Sequence, residues 1–97
     1  MTIARVYIMH ARQGHDASLE TFLEGLMTEV RGLPGSEGIE LLRDIGNERR
    51  FIFIEKWDSE ESHAAALKGL PRETMGNLVA LLDGPPDGAY FDYLKTA

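Results

Sequence analysis

The side chains with chemistry to offer are few: three histidines, a glutamate and a tryptophan two residues apart, and scattered aromatics, with no cysteine anywhere. His63 is the most suggestive of them. His63, Ala66, Leu67 and Leu70 fall at i, i+3, i+4 and i+7, which puts the imidazole on the inward stripe of a helix. A histidine of near-neutral pKa beside a pocket can take the proton of a phenol and leave an electron-rich phenolate. The alternative is a half-buried histidine tied to a backbone carbonyl. Glu55 shares a strand face with Phe51, Phe53 and Trp57. A carboxylate among aromatics must be paired or have a raised pKa, so Glu55 is either a general base or the partner of Arg5 or Arg43 on a neighbouring strand. Trp57 by itself reads as core, since a large aromatic stabilises by its area and its indole N–H needs one partner. Tyr7 alternates with Arg5 and Met9 on one face of the first strand, and His10 lies on the other with Ala4, Val6 and Ile8. One strand alone does not say which face meets a pocket. Asn77 offers an amide to a ligand or faces water.

Other chemistries find no support. His10, His15 and His63 make no helical i, i+4 pair, so no metal site is expected. Gly32-Leu-Pro-Gly35 lacks the strand before and the helix after that a phosphate loop requires. No nucleophile motif supports a serine triad. The absence of cysteine removes thiolate chemistry and disulfides together.

These residues need elements to hold them. Ile3 to Ala11 reads as a strand bounded by Gln13-Gly14. Leu19, Phe22, Leu23, Leu26, Met27 and Val30 then form a helical apolar stripe, with Asp16 or Ser18 as cap and Gly32-Leu-Pro-Gly35 as its stop. Gly38–Asp44 and Arg50–Trp57 read as strands joined by a turn around Gly46-Asn47. Asp58 and Ser59 open a helix running to about Lys68, with Glu60 and Glu61 set against its positive end. Met75, Leu78, Val79 and Leu82 mark a further helical stripe, and Ala89 to Leu94 a last strand.

The order is β-α-β-β-α(α)-β, the split ferredoxin-like arrangement of an α+β fold with one antiparallel sheet. Strand Arg50–Trp57 is apolar on both faces, with Ile52 and Ile54 opposite Phe51, Phe53 and Trp57. Helices cover one face only. A second copy packed on the other, sheet to sheet, is the economical solution, so a homodimer is expected.

The 97 residues are expected to form a single domain, 1–97. A net charge of −6 and scattered basic residues speak against a nucleic-acid partner. No apolar run approaches the roughly 20 residues that cross a bilayer, so no membrane partner is expected. The Met1–Met9 stretch lacks the build of a secretion signal, and a cytoplasmic location is expected.

Taken in order, the first strand, the Gly near position 14, the amphipathic helix, Leu33-Pro34-Gly35, the hairpin and Phe51-Ile-Phe-Ile-Glu-Lys-Trp57-Asp-Ser-Glu-Glu61 resemble the antibiotic biosynthesis monooxygenase family. The resemblance implies a dimeric α+β barrel. It implies an activity drawn from cofactor-free oxygenases of quinol-like or polycyclic phenols, haem-degrading enzymes, and other small-molecule roles. It makes Trp57 the family's pocket-lining tryptophan. The haem-degraders' proximal histidine would fall near Ala66 or Leu67, and their first-strand asparagine has no counterpart here. The expectation is therefore a monooxygenase without cofactors, acting on a small electron-rich aromatic. His63 and Trp57 would be catalytic, and Tyr7, Phe51, Phe53, Glu55 and Asn77 would line the pocket. A non-oxidative isomerase and a non-catalytic small-molecule-binding dimer on the same fold are the alternatives.

Overall fold

A computed structural model describes residues 1–97 and orders them as β1 (Ile3–His10), α1 (Asp16–Arg31), β2 (Ser36–Asp44), β3 (Asn47–Trp57), α2 (Glu60–Gly69), α3 (Arg72–Leu81) and β4 (Asp87–Asp92). All strand pairs are antiparallel, in the order β2-β3-β1-β4. This is the ferredoxin-like α+β arrangement expected.

One face of the sheet is dry. Phe51, Phe53, Glu55 and Trp57 of β3 are all buried, in the alternation a strand imposes. Leu19 and Leu23 of α1, Leu78 of α3 and Leu82 close over Met9, Phe51 and Phe53 to make the core. Each fully buried leucine contributes about 1.5–3 kcal/mol, which is why α1 follows its stripe so closely. Leu19, Leu23 and Val30 are buried, and Phe22, Leu26 and Met27 pack at the margin. Neither Asp16 nor Ser18 caps that helix. It starts at Asp16 itself, behind His15, with no side-chain cap, so Asp16 lies in the first turn, where its charge faces the positive helix end. The cap expected of the next helix is present: Ser59 Oγ accepts the Ser62 N–H at 3.1 Å at the head of α2.

The Pro34-Gly35 junction positions α2. Gly35 has φ of +87°, and a Cβ there would lie 2.6 Å from Ser62 Cβ and 2.7 Å from Asp58 Oδ1. Its carbonyl accepts the Asp58 N–H at 2.9 Å. Only glycine permits this approach, and it seats the first turn of α2, and with it His63, hard against the end of β3.

Strand ends shift for reasons of pairing. β2 and β3 extend the hairpin beyond the expected bounds, and the turn is Ile45-Gly46, with Asn47 already opposite Asp44. β4 runs from Asp87 to Asp92 rather than from Ala89 to Leu94. Its partner β1 begins at Ile3, opposite Asp92, so residues beyond Asp92 have no strand to bond. The third stripe is also narrower than expected: Val79 is exposed while Leu78 and Leu82 are buried.

The other face of the sheet carries Val6 and Ile8 of β1, Ile52 and Ile54 of β3, Leu42 of β2 and Phe91 of β4, none of them fully buried in the single chain. No helix is long and apolar enough to cross a membrane.

Candidate active site

Between the sheet and the helices lies a cavity of about 170 Å³. Arg5, Tyr7 and Met9 of β1 and Phe53 and Glu55 of β3 form its floor, so the odd face of the first strand is the one that meets the pocket. His63, Ala66, Leu67 and Leu70 descend from α2, and α1 and α3 complete the wall with leucines, Val30 and Met75. The helical spacing from His63 to Leu70 thus marks a cavity wall rather than solid core.

His63 is the centre of the polar part. It is 4% exposed and bonded on both sides by phenols. The Tyr7 hydroxyl lies 2.8 Å from Nε2, and the Tyr90 hydroxyl lies 2.6 Å from Nδ1. A neutral imidazole has one donor and one acceptor nitrogen. One tyrosine therefore gives its hydroxyl proton to the ring, and the other accepts the ring N–H. The rings of Trp57 and Tyr90 meet His63 edge-on, at centroid distances of 5.7 and 5.3 Å. This collar strips water from the imidazole. Burial, and then the charge of Arg5, lower the His63 pKa from its ordinary value, so the ring is neutral and able to accept a proton at physiological pH.

Glu55 does not form the arginine pair expected of it. Its Oε1 accepts the Trp57 indole N–H at 2.9 Å and lies 3.7 Å from His63 Nε2. Arg5 stands directly across the ladder, yet Trp57, two residues along the same face, claims the oxygen, and Arg43 pairs instead with Glu20 on the surface. Burial raises the Glu55 pKa, against the indole bond and Arg5, which lower it. Tyr7 is likewise raised, chiefly by burial and then by the Glu55 charge, with Arg5 opposing.

Of the residues singled out from the sequence, Tyr7, Phe53, Glu55 and His63 converge on the cavity. Phe51, Trp57 and Asn77 do not line it. Phe51 lies at the other end of its strand, inside the core beneath α1. Trp57 stands behind the cavity, 1% exposed, bonded to Glu55 and abutting His63. Asn77 is exposed on α3, since Met75 and Leu78 take that helix's inward positions. Tyr90 is the residue that sequence reasoning missed. Its side depends on the β1–β4 register, which sets it opposite Arg5. No group of three or more His, Asp or Glu side chains is placed to hold a metal ion.

The fold recurs in solved structures. SnoaB, a cofactor-independent oxygenase from Streptomyces nogalater, superposes with a TM-score of 0.87 at 20% identity, covering 98% of this chain and 95% of its own. Rv0793 from Mycobacterium tuberculosis gives 0.84 at 17% identity, over 100% and 99% of the two chains. NE2512, a protein of unknown function from Nitrosomonas europaea, gives 0.84 at 22% identity, over 99% and 92%. At such identities the likeness is one of fold. No curated protein matches the sequence. The family model for antibiotic biosynthesis monooxygenases, however, matches residues 1–71, a stretch that runs from β1 through α2 and includes Tyr7, Glu55, Trp57 and His63. The chain belongs to the antibiotic biosynthesis monooxygenase family.

Proposed function

We propose that the protein is a cofactor-independent monooxygenase acting on a small electron-rich aromatic of the quinol type. The observation that carries this reading is the buried His63 held between two tyrosine hydroxyls on the wall of an apolar cavity. A phenol bound there gives its proton to Tyr7, which passes its own to His63 Nε2, while Nδ1–H donates to Tyr90. The resulting phenolate is rich enough in electrons to reduce dioxygen by one electron. Recombination of the radical pair forms a carbon–oxygen bond, and loss of water leaves a new carbonyl. One oxygen atom stays on the product and the other leaves as water. The apolar wall favours this by keeping bulk water from the charged intermediate. Family membership and the fold shared with a cofactor-independent oxygenase support the assignment.

The test is oxygen uptake by chelator-treated protein with a panel of hydroquinones and naphthols, using isotopically labelled dioxygen. Uptake above autoxidation, with one labelled atom per product, is expected. Strict dependence on added metal or flavin would sink the assignment. Product formed without oxygen would move it to the isomerase reading, because a Tyr–His–Tyr relay serves proton transfer between carbons equally well.

The working form is a homodimer. On the sheet face that no helix covers, Leu42 and Phe91 are exposed and Val6, Ile8, Ile52 and Ile54 only half-buried, and a second sheet stacked about 10 Å away covers them. Sedimentation should give the mass of two chains, and Ile54→Glu should reduce it to one. A single-chain mass for the unaltered protein excludes the dimer.

A further inference from the structure

We propose that Arg5 is an anion-binding residue of this cavity and that the substrate is an aromatic acid whose carboxylate it holds. This rests on the reading above and narrows its substrate class.

Arg5 is a cation without a counter-ion. The ion pairs of the molecule join Arg43 to Glu20 and Arg50 to Asp44, and Glu55 lies beside the neutral His63; none of these contacts includes Arg5. Its Nε is buried with no hydrogen-bond partner. Glu55, directly across the ladder, is turned to the Trp57 indole instead. A half-buried guanidinium whose Nε is shut off from water without a partner is unfavourable unless something completes it.

The seat of this guanidinium is nonetheless well built. Its central carbon lies 4.9 Å from the Tyr7 ring and 4.4 Å from the Tyr90 ring, within cation–π range of both. Gly88, opposite Tyr7 on β4, leaves the room it occupies: a Cβ there would stand 2.7 Å from Arg5 Nη2 and 3.0 Å from the Tyr7 ring. The aromatic rings hold the group while leaving its Nε without an acceptor, and Arg5 lines the cavity. A planar guanidinium matches a carboxylate in a two-point contact. The chain as a whole carries −6 and repels anions, so a local cation is what would recruit one. The same arginine faces both tyrosines bonded to His63, so a carboxylate on it sets the neighbouring ring hydroxyl beside Tyr7. As to size, a dry cavity of roughly 150 Å³ accepts a single benzene ring.

The test compares gentisate (hydroquinone bearing one carboxylate), its methyl ester and hydroquinone itself by anaerobic calorimetry, with oxygen uptake measured in parallel. The acid should bind about tenfold or more tighter than the ester. Arg5→Met should erase that preference, and Arg5→Lys, which keeps the charge and loses the fork, should retain part of it; circular dichroism checks the fold of both. Equal affinity of acid and ester for the unaltered protein, including no binding of either, overturns the proposal. So does an acid preference that survives Arg5→Met. Acid preference without oxygen uptake would leave the anion site standing and sink the oxygenase. Uptake with hydroquinone and no acid preference would do the reverse.

Discussion

Replacing His63 by glutamine is expected to lower kcat/KM for an oxidisable phenol by about 10²–10⁴-fold, the range for loss of a positioned general base, with little loss of folded structure. Glutamine is the informative substitution because its amide has both a donor and an acceptor, as neutral imidazole does. It can stay bonded to Tyr7 and Tyr90, but it cannot take up a proton. A structural histidine would tolerate it, and a base would not. His63→Ala should lose the same activity and also stability, since it leaves two part-buried phenol hydroxyls without their partner.

The pH profile separates the roles further. Burial and the Arg5 charge lower the His63 pKa below the 6.5 of an ordinary histidine. With His63 as the proposed base the reaction needs the neutral ring, so the acid limb of kcat/KM should fall below pH 6.5 rather than at or above it, and it should vanish in the glutamine variant. Linkage gives a stability change of matching sign. Below 6.5 the unfolded chain binds a proton that the folded chain does not yet bind, so stability declines as pH falls through this window until the folded ring is itself protonated. In His63→Gln that part of the decline should be missing. A glutamine variant with unaltered kcat/KM at every pH would remove His63 from the reaction.

The element order and the inward placement of His63 were legible because each rests on local periodicity. The six-residue stripe of α1, the alternation Phe51-Ile-Phe-Ile and the Ser59 cap all act within a few neighbours. What was not legible depends on register between distant segments. Tyr90 reaches His63 only because β4 pairs with β1 so as to set Tyr90 opposite Arg5, and nothing within Gly88-Ala-Tyr-Phe-Asp92 declares that side as inward. The partner of Glu55 was hidden for a related reason. An arginine does stand across from it, but the indole on its own strand is nearer in effect, and the arginine is left facing the cavity. Asn77 failed by rotation alone: one position before Leu78 is about 100° around a helix of 3.6 residues per turn, enough to turn it to water. Phe51 shares its face with Phe53 but lies past the cavity's end, under α1.

Trp57→Ala is expected to destabilise the protein by about 3–5 kcal/mol, the range for deleting a fully buried large aromatic. For a chain of this length each kcal/mol corresponds to roughly 4–8 °C in Tm, so a fall of more than about 10 °C should be seen. Most of it comes from lost area and the cavity left behind, because Trp57 is 1% exposed at the junction of β3, α2 and His63. The remainder is chemical. Glu55 Oε1 loses its indole donor, and a carboxyl already raised by burial is pushed further toward its neutral form. Trp57→Phe separates these contributions, keeping most of the buried area and removing only the N–H. Its cost should be about 1–3 kcal/mol, that of leaving a buried acceptor unpaired. A tryptophan that chiefly lined an open pocket would behave otherwise, with alanine costing little stability and raising KM. Because the indole stands behind Glu55 and His63 and not in the cavity wall, the phenylalanine variant should change kcat through the setting of those two groups and leave KM nearly unchanged. Denaturant unfolding of both variants, read beside their steady-state kinetics, decides between the two positions for this side chain.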